Sequence, residues 1–329
     1  GGLAGGALNS LVAPVVLDRV TEYPLTLAVV AVLALPSRGR RSAAGMAFAA
    51  AACALAVWSA LGAGEGGATV RTARSFFGVV RVADLPGERV LIHGATQHGS
   101  QRLADAGRRI PTRYFHPAGP LGSPVAALAP GARVGVIGLG TGALAALTKP
   151  GTRLTFYEID PLIEDVARRQ FSYLADAPGD IEVKIGDGRL LLAAEPEASF
   201  DVIVVDAFSG DVVPVHLLTA EAIDAFRARL APGGLLVLHV SSRWLALDRV
   251  LAGYGAHRPG VSLAVADWQP DSAARAEGAS RTLAVAVADD AAVIDALEAV
   301  RPGLWRPLAA DGRAQWWTDD RSDLLGVMK

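Results

Sequence analysis

Carboxylates and glycines stand at the ends of successive apolar runs in the middle of the chain. Three glycines alternate in the turn after the first run, residues 134–137: Gly138, Gly140 and Gly142. The next apolar run, about twenty residues on, ends at Glu158 and Asp160. Glycines at a strand-to-helix turn let the backbone approach a nucleotide, and a carboxylate on the following strand accepts hydrogen bonds from ribose hydroxyls. The spacing predicts a nucleotide-binding βαβ unit, although the third glycine comes one residue earlier than in the dinucleotide fingerprint.

Two further polar motifs follow the next two apolar runs. Asp187 and Gly188 follow the third run, and the loop after the fourth run contains Asp206 and Asp211. In an open parallel sheet the carboxyl ends of the strands meet along one edge, where ligands bind. We therefore expect the four motifs to form one site. An ordinary tight turn would explain the glycines alone, but it would not explain acids at three consecutive strand ends.

The elements that must position these residues alternate from residue 132 onward. Strands are predicted at residues 132–138, 153–158, 181–185, 201–206 and 234–240. Helices are predicted at residues 141–148, 161–172, 187–194, 216–230 and 243–253. Two later β-type runs, 262–267 and 282–287, flank a predicted loop at 271–280, and a last helix is expected at 290–300. The alternation favours an α/β fold with a parallel sheet and helices on both faces.

The chain before this region divides at a glycine-rich linker. Residues 76–82 and 89–93 are β-type runs joined by a turn sequence, so they predict a β-hairpin. The expected domains are a membrane segment with its linker at 1–66, an N-terminal β subdomain at 67–118 and a Rossmann-like catalytic domain at 119–329.

Composition adds a membrane expectation and excludes other classes. The 329 residues carry a net charge of −2, so no basic field for nucleic acid exists. Hydrophobic residues make up 51%, and Ala43 to Gly62 is an uncharged run of about the twenty residues that a bilayer-spanning helix needs. We expect one or two transmembrane helices and an integral location in the cell membrane, with a buried helix as the alternative. Arginines flank both ends of the run, so the distribution of positive charge does not predict its orientation in the membrane. The expected nucleoside ligand is the reason to place the catalytic domain in the cytoplasm.

Cysteine and histidine give no metal or disulfide pattern. Cys53 is the single cysteine, and the histidines lack ligand spacing, so no metal is expected. His239 follows the fifth predicted strand and could face the site or serve the structure. The tail around Trp317 and Asp319 is expected to pack and to cap.

Together the motifs resemble the spermidine synthase (polyamine aminopropyltransferase) family, in the membrane-associated branch whose catalytic domain follows transmembrane helices. The resemblance covers roughly residues 70 to 290, with the motifs in the family's order. The turn 134–142 matches the nucleoside-binding turn, 157–160 the acidic motif and 185–188 the adenine motif. The resemblance implies a Rossmann-like sheet of the S-adenosylmethionine-dependent methyltransferase type with a small N-terminal β-hairpin subdomain.

The resemblance also implies the donor side of the reaction. Decarboxylated S-adenosylmethionine would be the co-substrate. Glu158 would hold its ribose hydroxyls with Asp160 beside it, and Asp187 and Gly188 would lie against adenine. The glycine turn, including Thr141, would hold the rest of the nucleoside.

The acceptor side follows from the gate loop, 204–214, and from the segment after the hairpin. The implied reaction is aminopropyl transfer to a small-molecule amine such as putrescine, in a protein that can form a homodimer. Asp206 would be the base and Asp211 a second acid that holds the amine or the loop. Gln97 and Tyr114 would line the amine channel. A turn or capping role is the alternative for both aspartates.

Two departures from the family pattern leave other functions open. Thr141 stands where the family has an aspartate that meets the donor's amine, and His93 precedes Gly94 in place of an aspartate. Loss of that negative charge would suit intact S-adenosylmethionine. The alternatives are an S-adenosylmethionine-dependent methyltransferase, or another transferase that uses this donor, and a non-catalytic nucleoside-binding domain of a transporter-like membrane protein.

Overall fold

The structure, a computed structural model, describes residues 2–34, 43–60, 66–94, 96–207 and 214–329. They group into two compact units. The first consists of Gly1–Pro86 with Ile92–Gly94, and the second of Gly87–Leu91 with Ala95–Lys329. This division does not test the predicted domain boundaries after residues 66 and 118, which remain predictions.

The first unit begins with helices. They are α1 (Gly2–Ala7), a π-helical turn (Leu8–Val12), α2 (Ala13–Val16), α3 (Glu22–Leu33) and α4 (Ala43–Ala60). Helices α3 and α4 pack on each other through a cluster of alanines: Ala28, Ala31, Ala49, Ala52 and Ala56. Small side chains let the two helix backbones approach closely.

The predicted transmembrane helices and the integral membrane location are wrong for the part of the chain that is described. No helix there combines the length and the apolar character that crossing a bilayer requires.

A β-hairpin completes the first unit. Strands β1 (Ala68–Ser75) and β2 (Gly78–Leu85) pair antiparallel. The predicted β-type runs at 76–82 and 89–93 coincide with β2 and with the strand that follows it, whereas β1 was not predicted. The following strand β3 (Glu88–His93) is divided between the two units. Arg74 on β1 forms an ion pair of 2.7 Å with Glu22 at the start of α3, and the side chains are 10% and 7% exposed. This bidentate pair ties the hairpin to the helices.

The second unit is built on an eight-stranded sheet. The unit also contains strand β4 (Thr96–Arg102), which is not part of this sheet. The eight strands of the sheet are β5 (Arg133–Ile137), β6 (Arg153–Glu158), β7 (Asp180–Ile185), β8 (Phe200–Val205), β9 (Leu230–His239), β10 (Ser262–Trp268), β11 (Thr282–Ala288) and β12 (Arg306–Pro307). The order in the sheet is β12-β10-β11-β9-β8-β5-β6-β7. Strands β5 to β9 are parallel, and each predicted strand from 132 to 240 is confirmed.

The predicted parallel sheet is confirmed for β5 to β9, but the sheet as a whole is mixed. Strand β11 lies antiparallel between β9 and β10, and β12 lies antiparallel on β10. Strands β10 and β11 pair from Ser262↔Ala288 to Trp268↔Thr282, as in a hairpin. The connection between them reverses the chain direction, so β11 runs antiparallel beside β10. A parallel pair would need a longer crossover connection.

The helices of the second unit follow the strands. They are α5 (Gly122–Ala127), α6 (Pro161–Gln170), α7 (Gly188–Ala193), α8 (Ala220–Arg227), α9 (Asp248–His257), α10 (Ser272–Ala276) and α11 (Ala291–Val300). After the glycine turn the chain forms a 3₁₀ segment, Ala143–Leu147, where an α-helix at 141–148 was expected. Helix α10 occupies part of the expected loop at 271–280, because the Asp271 side chain accepts a hydrogen bond from the Ala274 N–H and caps it.

The C-terminal tail packs and caps as predicted. Trp317 is 2% exposed within the core cluster. Asp319 accepts two hydrogen bonds, of 2.8 and 2.7 Å, from the Arg189 guanidinium and a third of 2.7 Å from the Thr219 hydroxyl. The tail therefore fixes the start of α7, the helix that follows Asp187.

Candidate active site

The glycine turn is locked against the end of the neighbouring strand. Gly138 has a φ of +98°, and a Cβ there would lie 2.2 Å from the carbonyl oxygen of Asp206. The Asp206 N–H in turn donates to the Ile137 carbonyl at 2.8 Å. Only glycine fits this backbone conformation and this contact. The turn after β5 and the acid after β8 are thus held side by side.

Strand β4 passes over the same turn. A Cβ at Gly140, where φ is +53°, would lie 3.0 Å from the His98 carbonyl oxygen. Thr141 is fully buried against Gly99, and its hydroxyl has no hydrogen-bond partner among the described residues. Gly142, with φ at +77°, packs against Leu174. The turn therefore presents an orphaned buried hydroxyl where the resemblance implies a donor's tail.

Glu158 lies at the end of β6 and braces the turn. Its carboxylate accepts hydrogen bonds from the N–H groups of Leu139, at 3.0 Å, and Asp160, at 2.9 Å. The residue is 8% exposed, and this burial raises the pKa of the carboxyl above its usual range. The Asp160 side chain caps α6 by accepting from the Leu162 N–H at 2.9 Å. Both predicted residues lie at the carboxyl edge, beside the glycine turn.

Asp187 and Gly188 lie at the next strand end. Asp187 caps α7 because its Oδ1 accepts hydrogen bonds from the N–H groups of Arg189 and Leu190, at 2.9 and 3.1 Å. Its other oxygen lies 3.8 Å from the His216 ring, and the side chain is 34% exposed. A Cβ at Gly188 would lie 2.6 Å from the Ile137 side chain on β5. Glycine thus brings the helix start close to the glycine turn.

Asp206 is paired with a histidine from the adjacent strand. Its Oδ1 lies 2.5 Å from Nδ1 of His239, and the two side chains are 7% and 6% exposed. The carboxylate therefore fixes the orientation of the ring. The sequence pointed to His239 only by its place after an apolar run. The partnership itself depends on the pairing of β8 with β9.

Tyr114 packs against the His239 ring of this pair. Its ring centroid lies 4.6 Å from that of His239. Burial, and then the nearby Asp206 carboxylate, raise the pKa of the Tyr114 phenol well above its usual range. The phenol therefore stays protonated and can donate a hydrogen bond at any physiological pH.

A cavity of about 280 Å³ opens beside the histidine. Its walls include Tyr114, His239 and the side chains of Thr96 and His98. Gln97 lies between these two and is exposed, because successive side chains of a strand point to opposite faces. The structure thus brings Tyr114 to the cavity but leaves Gln97 outside its lining. Asp211 lies outside the described residues.

The strand ends set out a sequence of chemical groups along one edge. The sheet order places Asp187, Glu158 and the glycine turn on neighbouring strand ends, followed by Asp206 and then His239. The first three can bind a nucleoside, and the last two can hold or accept a proton. Within the described residues no group of three or more acidic, histidine or cysteine side chains could hold a metal ion.

Known proteins share this fold and part of this sequence. No protein-family model matches the chain. A "Probable polyamine aminopropyl transferase" of Bifidobacterium longum is 37% identical over 109 residues, which are 32% of this chain and 23% of that protein. A "Polyamine aminopropyltransferase" of Vibrio vulnificus is 32% identical over 127 residues, 37% of this chain and 42% of that protein. The matches thus span less than half the length of either relative.

A solved structure extends the likeness of the fold. The probable spermidine synthase from Corynebacterium glutamicum superposes with a TM-score of 0.55, over 79% of this chain and 99% of that one. The identity is 18%, so this likeness concerns the fold alone.

Proposed function

We propose that this chain, a homologue of the polyamine aminopropyltransferases and spermidine synthases, transfers an aminopropyl group from decarboxylated S-adenosylmethionine to an amine. One observation carries the proposal. The buried Asp206–His239 pair lies between a nucleoside-type strand edge and a cavity that a small amine could enter.

The donor would occupy the edge formed by β5, β6 and β7. Glu158 is the residue for the ribose hydroxyls, because a buried carboxylate that already accepts two backbone hydrogen bonds keeps further lone pairs for them. Asp187, with Gly188, would contact adenine through the carboxylate oxygen that does not cap α7. Asp160 supports this edge from the start of α6. The orphaned Thr141 hydroxyl fits a polar atom of the donor's tail.

The donor supplies an activated carbon bound to a positively charged sulfur. The amine nitrogen attacks this carbon with its lone pair, the carbon–sulfur bond breaks, and its electron pair stays on the sulfur of methylthioadenosine. The new nitrogen–carbon bond leaves a proton on nitrogen, which the enzyme must remove before or during attack. Asp206 is the base in this proposal, and His239 holds its carboxylate in place.

The acceptor side is formed by the cavity wall. The Tyr114 phenol can donate a hydrogen bond to a polar group of the acceptor, and its ring keeps the His239 imidazole in position. Asp211, as a second acid, and Gln97 remain proposals for the acceptor side. Holding amine and carbon in line is worth more to the rate than any single group, since the sulfur is already a good leaving group.

The test is identification of the nucleoside product. Purified protein is incubated separately with decarboxylated and with intact S-adenosylmethionine, each with a set of amines. We expect methylthioadenosine from the decarboxylated donor, and a loss of about 10²–10⁴-fold in rate for Asp206→Asn.

Asp201→Asn is the matched control. Asp201 lies near the start of β8, whereas Asp206 follows the end of this strand, and Asp201 accepts a hydrogen bond from the Arg133 N–H at 2.7 Å. It should leave the rate of transfer unchanged. Binding of the donor without turnover by any amine would instead favour a non-catalytic nucleoside-binding domain.

A methyltransferase is the second candidate, and Thr141 favours it. The glycine turn carries no carboxylate for the amine of a decarboxylated donor, because Thr141 occupies the middle of the turn. Intact S-adenosylmethionine brings a carboxylate of its own, which an acidic turn would repel. S-adenosylhomocysteine as the nucleoside product would decide for methyl transfer and against aminopropyl transfer.

A further inference from the structure

The cavity lies on the far side of Asp206 from the nucleoside edge. In the sheet β8 is followed by β9 and then β11, whereas β5, β6 and β7 lie on the other side of β8. The cavity is lined by His239 at the end of β9 and by Leu283 on β11. A molecule that reacts beside Asp206 therefore has its remote end in the cavity when the nucleoside occupies the other side.

The described wall of this cavity is basic. Three of its lining residues carry positive side chains: Arg243, Arg281 and Lys329. None of the described residues that line it is an aspartate or a glutamate. The hydroxyls of Ser241 and Ser242 make up part of the remaining polar wall.

The three cations differ in how far they are neutralised. Arg281 forms a bidentate pair with Asp267, at 3.0 and 2.8 Å, so its charge is largely compensated. The Lys329 Nζ donates to the Ser242 carbonyl at 2.7 Å, which orients the ammonium but leaves its charge. Arg243 lies with its guanidinium carbon 5.1 Å from the centre of the Trp244 ring, and no ion pair joins it to a described carboxylate. Asp267 offsets one of the three charges, so a net positive charge remains among the described side chains of this wall.

A diamine does not match such a wall. Its reacting nitrogen must be neutral, but the second nitrogen is an ammonium at neutral pH, because an alkylamine has a pKa of about 10. Like charges at the remote end repel, whereas a carboxylate there can accept bidentate hydrogen bonds from an arginine. We propose that the acceptor is a primary amine that carries a carboxylate at its other end, bound by Arg243 and Lys329.

This inference rests on the proposed function, because it assigns the acceptor of that reaction. A binding measurement separates the two. Calorimetry with methylthioadenosine present compares 4-aminobutanoate, 1,4-diaminobutane and 1-aminobutane, which share one chain length and differ in the remote group. The same three amines are then offered for turnover with the decarboxylated donor.

We expect 4-aminobutanoate to bind about tenfold or more tightly than 1,4-diaminobutane, the ratio that one charge-assisted hydrogen bond provides. Arg243→Glu should remove or reverse this preference. Arg301→Glu is the control, because Arg301 is exposed at the end of α11 and makes the same change of net charge. It should keep the preference of the unaltered protein.

The outcomes distinguish the two proposals. Tighter binding of 1,4-diaminobutane, failure of 4-aminobutanoate to bind, or an unchanged preference in Arg243→Glu would overturn the inference. Methylthioadenosine formed with 1,4-diaminobutane alone would keep the proposed function and reject the anionic acceptor. Selective binding of 4-aminobutanoate without any methylthioadenosine would keep the ligand class and reject aminopropyl transfer.

Discussion

Replacing Gly138 by alanine tests how the glycine turn and Asp206 are held together. The added Cβ would lie 2.2 Å from the Asp206 carbonyl oxygen, and the residue has a φ of +98°. The unfavourable φ costs about 1–3 kcal/mol. The overlap with a backbone atom costs about 1–3 kcal/mol more, because this neighbour cannot rotate away. We expect Gly138→Ala to lower the free energy of unfolding by about 2–6 kcal/mol in total.

Gly131→Ala is the matched control for this experiment. Gly131 has a φ of +86°, but a Cβ there would meet no atom within 4 Å. Gly131→Ala therefore shares the conformational strain of about 1–3 kcal/mol without the overlap. Both variants also restrict the unfolded chain to the same extent, so this effect cancels in the comparison. The difference between the two free energies therefore isolates the contact with Asp206.

Urea unfolding followed by circular dichroism measures both variants. Gly138→Ala should unfold at a lower urea concentration than Gly131→Ala, with at least about 1 kcal/mol between them. It should also lose the proposed aminopropyl-transfer activity under conditions where it remains folded, because relief of the overlap displaces Asp206. Equal urea midpoints for the two variants, or full activity of folded Gly138→Ala, would refute the view that this contact holds the site.

Three further predictions concern the side chains around the site. Tyr114→Phe should lower the rate of the proposed transfer reaction by a factor that is constant between pH 6 and 10, because the raised pKa of Tyr114 keeps the phenol protonated there. Loss of an alkaline limb in the pH–rate profile of the variant would contradict this. His239→Asn, whose amide can replace the Nδ1–H donor to Asp206, should retain more activity than His239→Ala in the same assay, and equal activities would show that the hydrogen bond is unimportant. The folded-state pKa of Asp319 is lowered to about 2 from 3.8 by its hydrogen bonds from Arg189, so its stabilisation is complete above the unfolded value and is lost as the pH falls from about 4 to 2. Asp319→Asn should cost at most about 1 kcal/mol at pH 7, since the carboxylate is 45% exposed, and the difference from the unaltered protein should vanish in urea titrations near pH 2.

The sequence was sufficient for the strands and their polar ends. Apolar runs bounded by glycine and acid mark the five parallel strands, because the alternation of strand and helix is written in local residue order. The glycine at 138 and the acids at 158, 187 and 206 could be assigned to one edge for the same reason. The transmembrane expectation failed, since it rested on the composition of an alanine-rich segment, whereas the described helices lack the length and character required.

Only the tertiary structure decided which strand ends are neighbours. Strand β11 enters between β9 and β10 in the opposite direction, which no local pattern reveals. That order brings His239 to Asp206, 33 residues earlier in the chain, and sets Arg281 and Lys329 around one cavity. Local sequence determines where a strand ends and which residue stands there. The partner of that residue depends on hydrogen bonds between distant strands, so the charge around this cavity could be read only from the folded chain.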